Sequence, residues 1–378
     1  MQRHTTWQRV LIALSLITGL GVSAAWGAAP VKPLELGSPA PDFALPGVDG
    51  KTYRLADFAT AKVLVCVFTC NHCPTAQAYE ERLIQLHADY RDRGVALIAI
   101  SPNDPLAVRL DELGYTDVND SLEDMQVRAR DRGFAFPYLY DGQTQATSRA
   151  FGVLATPHVF IFDAQRKLRY QGRIDDSDVG VVKSHDTRNA IDALLAGRPV
   201  PVATTRVFGC STKWSDKRPS AVESLAKWDA EAVSLRTIDA AGVKELVRND
   251  TPNLRVINLW ATWCGPCVQE LPELVTINRM YRKRKFELIT ISLDGPQQRD
   301  AALACLREHH VSSTNYLFNS DDRDQLAEAL DKQWPGPVPY TILVAPGGKV
   351  LYRKHDVFDP LELKKAIVGF LGRTYASR

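Results

Sequence analysis

In two places, a run of apolar residues too short for a buried helix leads into two cysteines separated by two residues, and a helical pattern follows. Val63-Leu64-Val65-Cys66-Val67-Phe68 leads to Cys70 and Cys73, and Val256 to Trp260 leads to Cys264 and Cys267. A continuous apolar run of this length reads as a strand covered on both faces. After the first pair, Tyr79, Leu83, Leu86 and Tyr90 recur at helical spacing between Pro74 and Arg93; after the second, Glu270 to Tyr281 supplies the helix. Pro74 suits a first helical turn, where its missing N–H is not needed. A buried strand entering a helix, found twice, places the chain in the α/β class with two domains, each a mixed central sheet flanked by helices. A chain of 378 residues is also long for a single core.

The rest of the plan repeats. Val95 to Ile100 and Phe286 to Ser292 are the next buried strands, and Gly37 to Leu55, with Asp49-Gly50 as its turn, is a small hairpin before the first copy. Ser121 with Asp124 opens a helix that Gly133 stops, and Asp300 to Glu308 is its counterpart. Pro157 precedes a strand from His158 to Phe162, and Pro339 precedes one from Tyr340 to Ala345. Lys167 and Tyr170 stand 10 and 13 residues after Pro157, as Lys349 and Tyr352 do after Pro339, so the two C-terminal hairpins share a register. His185 to Leu195 and the segment from Asp359-Pro360 read as closing helices. The first copy is longer between its cysteines and its proline, which places an insertion at Asp104 to Asp120. The resulting division is 1–28 as a signal peptide, 37–198 and 221–378 as the domains, and 199–220 as a linker carrying Cys210.

Arg3 and Arg9 precede an apolar run from Val10 to Val22 and then small residues to Ala29, the pattern of an export signal. Left uncleaved, the same helix would anchor the chain, and this is the one membrane association expected. Either way the domains lie outside the cytoplasm, most simply in a periplasm. With 46 basic and 44 acidic side chains the net charge is +2, which offers no cationic face for nucleic acid. Seven cysteines are too few to staple a chain of this size, and four of them form the two close pairs.

A cysteine where a strand enters a helix meets unpaired amide hydrogens and the positive end of the helix dipole, which stabilise a thiolate. Cys70 and Cys264 are therefore expected to attack, with Cys73 and Cys267 one turn on as resolving thiols. The competing assignment is a four-cysteine zinc site, but each pair follows its own strand, so no metal or other cofactor is expected. Pro157 and Pro339 would, if cis, turn the backbone of Thr156 and Val338 toward these sulfurs and toward an incoming peptide. The partners are protein thiols or disulfides and an unidentified redox donor.

These features resemble the thioredoxin superfamily over nearly all of residues 37–375. Trp263-Cys264-Gly265-Pro266-Cys267 is similar to the thioredoxin active site, and Asn258 through Glu270-Leu271-Pro272 is more like the TlpA/ResA group. Asn258 stands where thioredoxin has a buried aspartate. The resemblance implies a role for Glu270 near the second cysteine, alongside its plain reading as a solvent-facing helix residue. Gly37 to Phe43, Phe68 to Pro74 and Thr156-Pro157 resemble the redoxin or AhpC/TSA branch. That branch includes peroxidases, which carry threonine or serine three residues before the reactive cysteine; Val67 precedes Cys70 at that spacing. Peroxide reduction, copper handling through Cys70, Cys73 and His158, and a binding scaffold without chemistry stand as the competing functions.

Cys66, in a strand, and Cys305, in an Ala-rich helix, read as packing residues. Cys210, in Gly209-Cys210-Ser211-Thr212-Lys213-Trp214, reads either as a third redox thiol or as part of a segment folded back on the first domain. His72 lies between the first two cysteines, as in the Cys-Pro-His-Cys site of disulfide-generating proteins. An imidazolium beside the Cys70 thiolate would make the first site the stronger oxidant of the two.

Overall fold

A computed structural model describes residues 31–375; the expected signal segment lies outside them. The first domain runs β1 (Ala44–Pro46), β2 (Thr52–Arg54), β3 (Val63–Phe68), α1 (Pro74–Tyr90), β4 (Val95–Ser101), α2 (Leu122–Arg132), β5 (Tyr138–Tyr140), α3 (Ala146–Phe151), β6 (Ala155–Thr156), β7 (His158–Phe162), β8 (Leu168–Gly172) and α4 (Asp186–Leu195). Next come β9 (Cys210–Ser211) and α5 (Arg218–Asp229). The second domain follows with β10 (Arg236–Ile238), α6 (Ala240–Arg248), β11 (Leu254–Trp260), α7 (Gly265–Tyr281), β12 (Phe286–Ser292), α8 (Arg299–Glu308), β13 (Thr314–Phe318), α9 (Arg323–Leu330), β14 (Tyr340–Val344), β15 (Val350–His355) and α10 (Pro360–Leu371).

The sheets have the orders β5-β4-β3-β7-β8 and β10-β13-β12-β11-β14-β15. In each, the strand leading to the cysteines is central, parallel to the strand that follows it and antiparallel to the one after the proline. The shared hairpin register is present, with Tyr170 opposite Ile161 and Tyr352 opposite Leu343, and a bulge one residue further on in both.

Alternation along each central strand divides the core between the two faces of its sheet. Val63, Val65 and Val67 pack with Tyr79, Leu83 and Leu86 of α1, whereas Leu64, Cys66 and Phe68 pack with Phe151 and Phe160. In the second domain Val256 and Trp260 face Leu271 and Leu274 of α7, while Ile257 and Leu259 face Leu326 and Trp334. The expected helix signals operate: Ser121 accepts from Asp124 N at 3.1 Å, Gly133 takes the left-handed cap of α2, and Asp359 caps α10 ahead of Pro360.

The insertion between Asp104 and Asp120 joins the two domains. Val108 and Leu113 belong to the core beneath α7. Tyr281 Oη donates to Thr116 O at 2.7 Å, and Arg373 pairs with both Asp117 oxygens at 2.6 and 2.8 Å. Among the described residues, no helix is long and apolar enough to cross a membrane.

Candidate active site

The second site matches its expected layout. Cys264 is the N-cap of α7, Pro266 falls in the first turn, and Cys267 lies one turn in, bonded to Cys264. Cys267 is fully buried and Cys264 nearly so, while the neighbouring Trp263 is 59% exposed. Cys264 Sγ lies 3.6 Å from Val338 O, and the Val338–Pro339 bond is cis. Glu270 is not solvent-facing: it is 4% exposed and accepts from Asn258 Nδ2 at 2.7 Å. Its other oxygen has no hydrogen-bond partner among the described residues. Burial outweighs the hydrogen bonds from Asn258 and the Phe358 backbone and pushes the carboxyl up to about 7.

The first site departs from expectation by one helical turn. Phe68 pairs with His158, the residue after Pro157, and Leu259 pairs with Tyr340, the residue after Pro339. Counting five residues on from each gives Cys73 and Cys264. Cys73 is accordingly the N-cap of α1, accepting from Ala76 N at 3.4 Å, and its sulfur lies 3.3 Å from Thr156 O. The assignment of Cys70 to the helix N-terminus, with Cys73 one turn inside, is therefore corrected. Cys70 matches Ala261, before the helix, and Ala76 occupies the place of Cys267. Both strands end in apolar runs, and sequence spacing alone does not reveal that the loop after β3 already contains the first cysteine.

This shift divides the two thiols electrostatically. Burial opposes ionisation of Cys73, but hydrogen bonds from Cys210 and Cys70, the His72 charge and the Ala76 amide together hold it well below the ordinary thiol range. Cys70 has no helix end to face, and burial, its contact with Cys73 and the nearby Asp120 push it well above that range. Cys70 Sγ also lies 3.2 Å from Thr156 Oγ1, and the Thr156–Pro157 bond is cis.

His72 precedes the helix instead of occupying its first turn, and its side chain is directed to an acidic partner. Nδ1 stands 2.6 Å from Asp120 Oδ2, and both residues are buried. Burial lowers the imidazole pKa, but Asp120 outweighs it and the net shift is upward. Asp120 also accepts from Asn71 N, His72 N and Asn103 Nδ2, at 2.8, 3.2 and 2.8 Å. Sequence reading missed Asp120 because it lies 48 residues away in the insertion and carries no motif.

Cys70, His72 and Asp120 each bring a ligand atom within 4.8 Å of the others, the one such group among the described residues. The Asp120 carboxylate is already occupied by four donors, so the set does not offer a free carboxylate to a cation. The copper set of Cys70, Cys73 and His158 is not assembled: burial holds His158 down at about 3, and its Nδ1 faces Leu154 N at 3.4 Å.

Of the remaining cysteines, Cys66 is fully buried as expected, and Cys305 is half-buried on α8. Cys210 is half-buried against Cys70, Cys73 and Ala76. Its segment folds back on the first domain, where β9 pairs with β6 in an antiparallel ladder, Cys210 opposite Thr156.

Two sheets of this topology, each with a cysteine capping the helix after its central strand and a cis-proline facing it, define a thioredoxin-fold protein. The AhpC/TSA family model matches residues 36–171 and the Redoxin model residues 231–367. The chain belongs to the thioredoxin superfamily, as a redoxin/AhpC-TSA-type domain followed by a TlpA/ResA-like domain. It is 25% identical over 122 residues to a thiol-disulfide oxidoreductase ResA of Oceanobacillus iheyensis, covering 32% of this chain and 53% of the relative. It is 28% identical over 160 residues to a DsbE-homologous thiol:disulfide interchange protein of Paracoccus denitrificans, covering 41% and 81%. An uncharacterized conserved protein from Geobacillus kaustophilus is 39% identical, with 48% of this chain and 93% of that chain covered and a TM-score of 0.43. The chain spans about half the length of most of the curated relatives it matches.

Proposed function

We propose that the protein is an exported thiol-disulfide oxidoreductase, exchanging disulfides with protein thiols at Cys264–Cys267 and, in the first domain, at Cys73 with Cys70 beside it. The observation that carries this reading is the disulfide at the N-terminus of α7, one sulfur of it facing the backbone carbonyl of Val338. The helix dipole favours Cys264 as leaving thiolate when the disulfide is reduced and as nucleophile afterwards. A substrate disulfide attacked by Cys264 forms a mixed disulfide, which the Cys267 sulfur resolves. Glu270, one turn beyond Cys267 on the same helix and near neutrality in its pKa, is suited to accept the Cys267 proton.

Thr156-Pro157 and Val338-Pro339 line the two grooves where an extended substrate segment would pair. Export rests on the N-terminal sequence pattern. We keep 37–198 and 221–378 as the two domains in this reading, and the pairing of β9 with β6 supports grouping the Cys210 part of the 199–220 linker with the first of them. Insulin reduction by the full chain under dithiothreitol is the test: turnover that vanishes in Cys264→Ser supports the reading, and an inactive wild-type protein that also fails to exchange with glutathione overturns it in favour of a binding scaffold.

A further inference from the structure

The resolving position of the first site is vacant within its own helix, because Ala76 stands where the second domain has Cys267. A sulfur able to release a mixed disulfide from Cys73 must come from another element. The chain segment after α4 brings one. It first adds to the edge strand, with Gln171 N donating to Ala203 O at 3.0 Å and Thr205 N to Gln171 O at 3.1 Å. It then crosses to the cis-proline, where Cys210 lies opposite Thr156. Beyond that it is tied down again, with Lys213 N on Asn103 Oδ1 at 2.8 Å, Gln145 Nε2 on Lys213 O at 2.9 Å, and Arg149 over the Trp214 ring at 4.5 Å.

The crossing is built for close approach. Gly209 has φ +141, and a Cβ there would sit 2.1 Å from Thr156 O and 3.2 Å from Pro157 Cδ. No side chain fits that gap, so glycine at 209 is what allows the next residue's sulfur to reach the thiol cluster. Antiparallel pairing with the residue before this proline is also how an extended peptide adds to a sheet edge.

We propose that Cys210 is the resolving thiol of the first site, presented by a strand that the chain lays across its own peptide-binding edge, so that the redox couple there is Cys73–Cys210. The inference rests on Cys73 being an exchanging thiol. In the forward sense, the Cys73 thiolate attacks one sulfur of a substrate disulfide. The S–S bond breaks and the first substrate sulfur leaves as a thiolate. Cys210 gives its proton to that leaving thiolate and attacks Cys73 Sγ, which breaks the mixed disulfide and releases the second substrate sulfur. The substrate disulfide gains two electrons, and Cys73 and Cys210 lose two. An extended substrate must lift β9 to reach Thr156, and the return of β9 delivers the resolving sulfur, so product release and resolution are one movement.

The test uses the reduced full-length protein, oxidised with glutathione disulfide, quenched with acid, alkylated and mapped without reduction. Wild type and Cys70→Ser are expected to yield the Cys73–Cys210 link, while Cys210→Ser accumulates glutathione on Cys73 at least about tenfold over wild type. Gly209→Val, which displaces β9 and leaves all thiols in place, is expected to lower the yield of the link. A Cys70–Cys73 link in wild type that Cys210→Ser leaves unchanged overturns the proposal. If Cys73 takes up neither glutathione nor a partner in any variant, exchange at the first domain fails instead.

Discussion

The two domains use one scaffold to hold their cysteines in different relations to the helix. In the second, Cys264 and Cys267 share the first turn of α7, a local arrangement set by the two residues between them, beside the exposed indole of Trp263. In the first, Cys73 caps α1 alone; its neighbours Cys70 and Cys210 come from the preceding loop and from a strand that is 137 residues further along. The second site is thus locally built, and the first is assembled from distant segments. Moving a cysteine by one turn relative to the helix end changes which sulfur caps the helix, and so changes the roles that an identical Cys-x-x-Cys spacing can support.

The largest expected effect tests whether the sites act independently. Insulin reduction by full-length Cys264→Ser should fall by at least about 1,000-fold, because no other sulfur of that domain caps a helix, while Cys73→Ser should leave it within about twofold. Equal losses in the two variants would show that electrons pass through both sites in series.

The next effect concerns Glu270. Its pKa is raised on folding, so the native state holds this proton more tightly than the unfolded chain, and stability falls as pH rises from the ordinary carboxyl range through about 7. Relative to Glu270→Gln, the oxidised wild-type protein should lose up to ~3 kcal/mol across that window. Denaturant midpoints at a series of pH values measure this, and parallel curves for the two proteins would refute it.

A smaller effect separates the potentials. Hydrogen bonds and the His72 charge stabilise the Cys73 thiolate, which favours the reduced form and should make the first site the more oxidising of the two. In His72→Ala the cation is lost and Asp120 is left uncompensated, so the first site's potential should drop by at least about 30 mV, or ~1.4 kcal/mol, with the second unmoved. Equilibration in glutathione buffers followed by acid quench and site-resolved alkylation reads both couples in the one chain. A first site already as reducing as the second would reject the order itself.

The smallest effect marks the boundary of the chemistry. Cys305→Ser, on a half-buried helix face outside both clusters, should change stability by no more than about 0.5 kcal/mol and leave turnover unaltered. A measurable loss of turnover would draw α8 into the comparison.

Much of this was legible in the residues because it is local. The apolar runs, Pro74 and Pro360 in first turns, Ser121 with Asp124, Gly133, and the hairpin spacing after each proline all act within a few residues, and each fell where its periodicity or capping chemistry puts it. The second site was legible for the same reason, since its sulfurs lie within one helical turn. Glu270 was readable as a helix residue, but its burial against Asn258 depends on which face of α7 meets the sheet.

By itself the sequence determined two α/β units with a cysteine pair at the end of each buried strand, because a strand's apolar run and a helix's spacing are properties of short windows. The tertiary structure decided which cysteine caps α1, since that depends on the register of β3 against β7 and not on the spacing of the pair. It also decided the partners of the first site. Asp120 reaches His72 from the insertion, and Cys210 reaches Cys73 from beyond α4, through sheet pairing and a glycine-sized gap that form only when segments far apart in the chain are brought together.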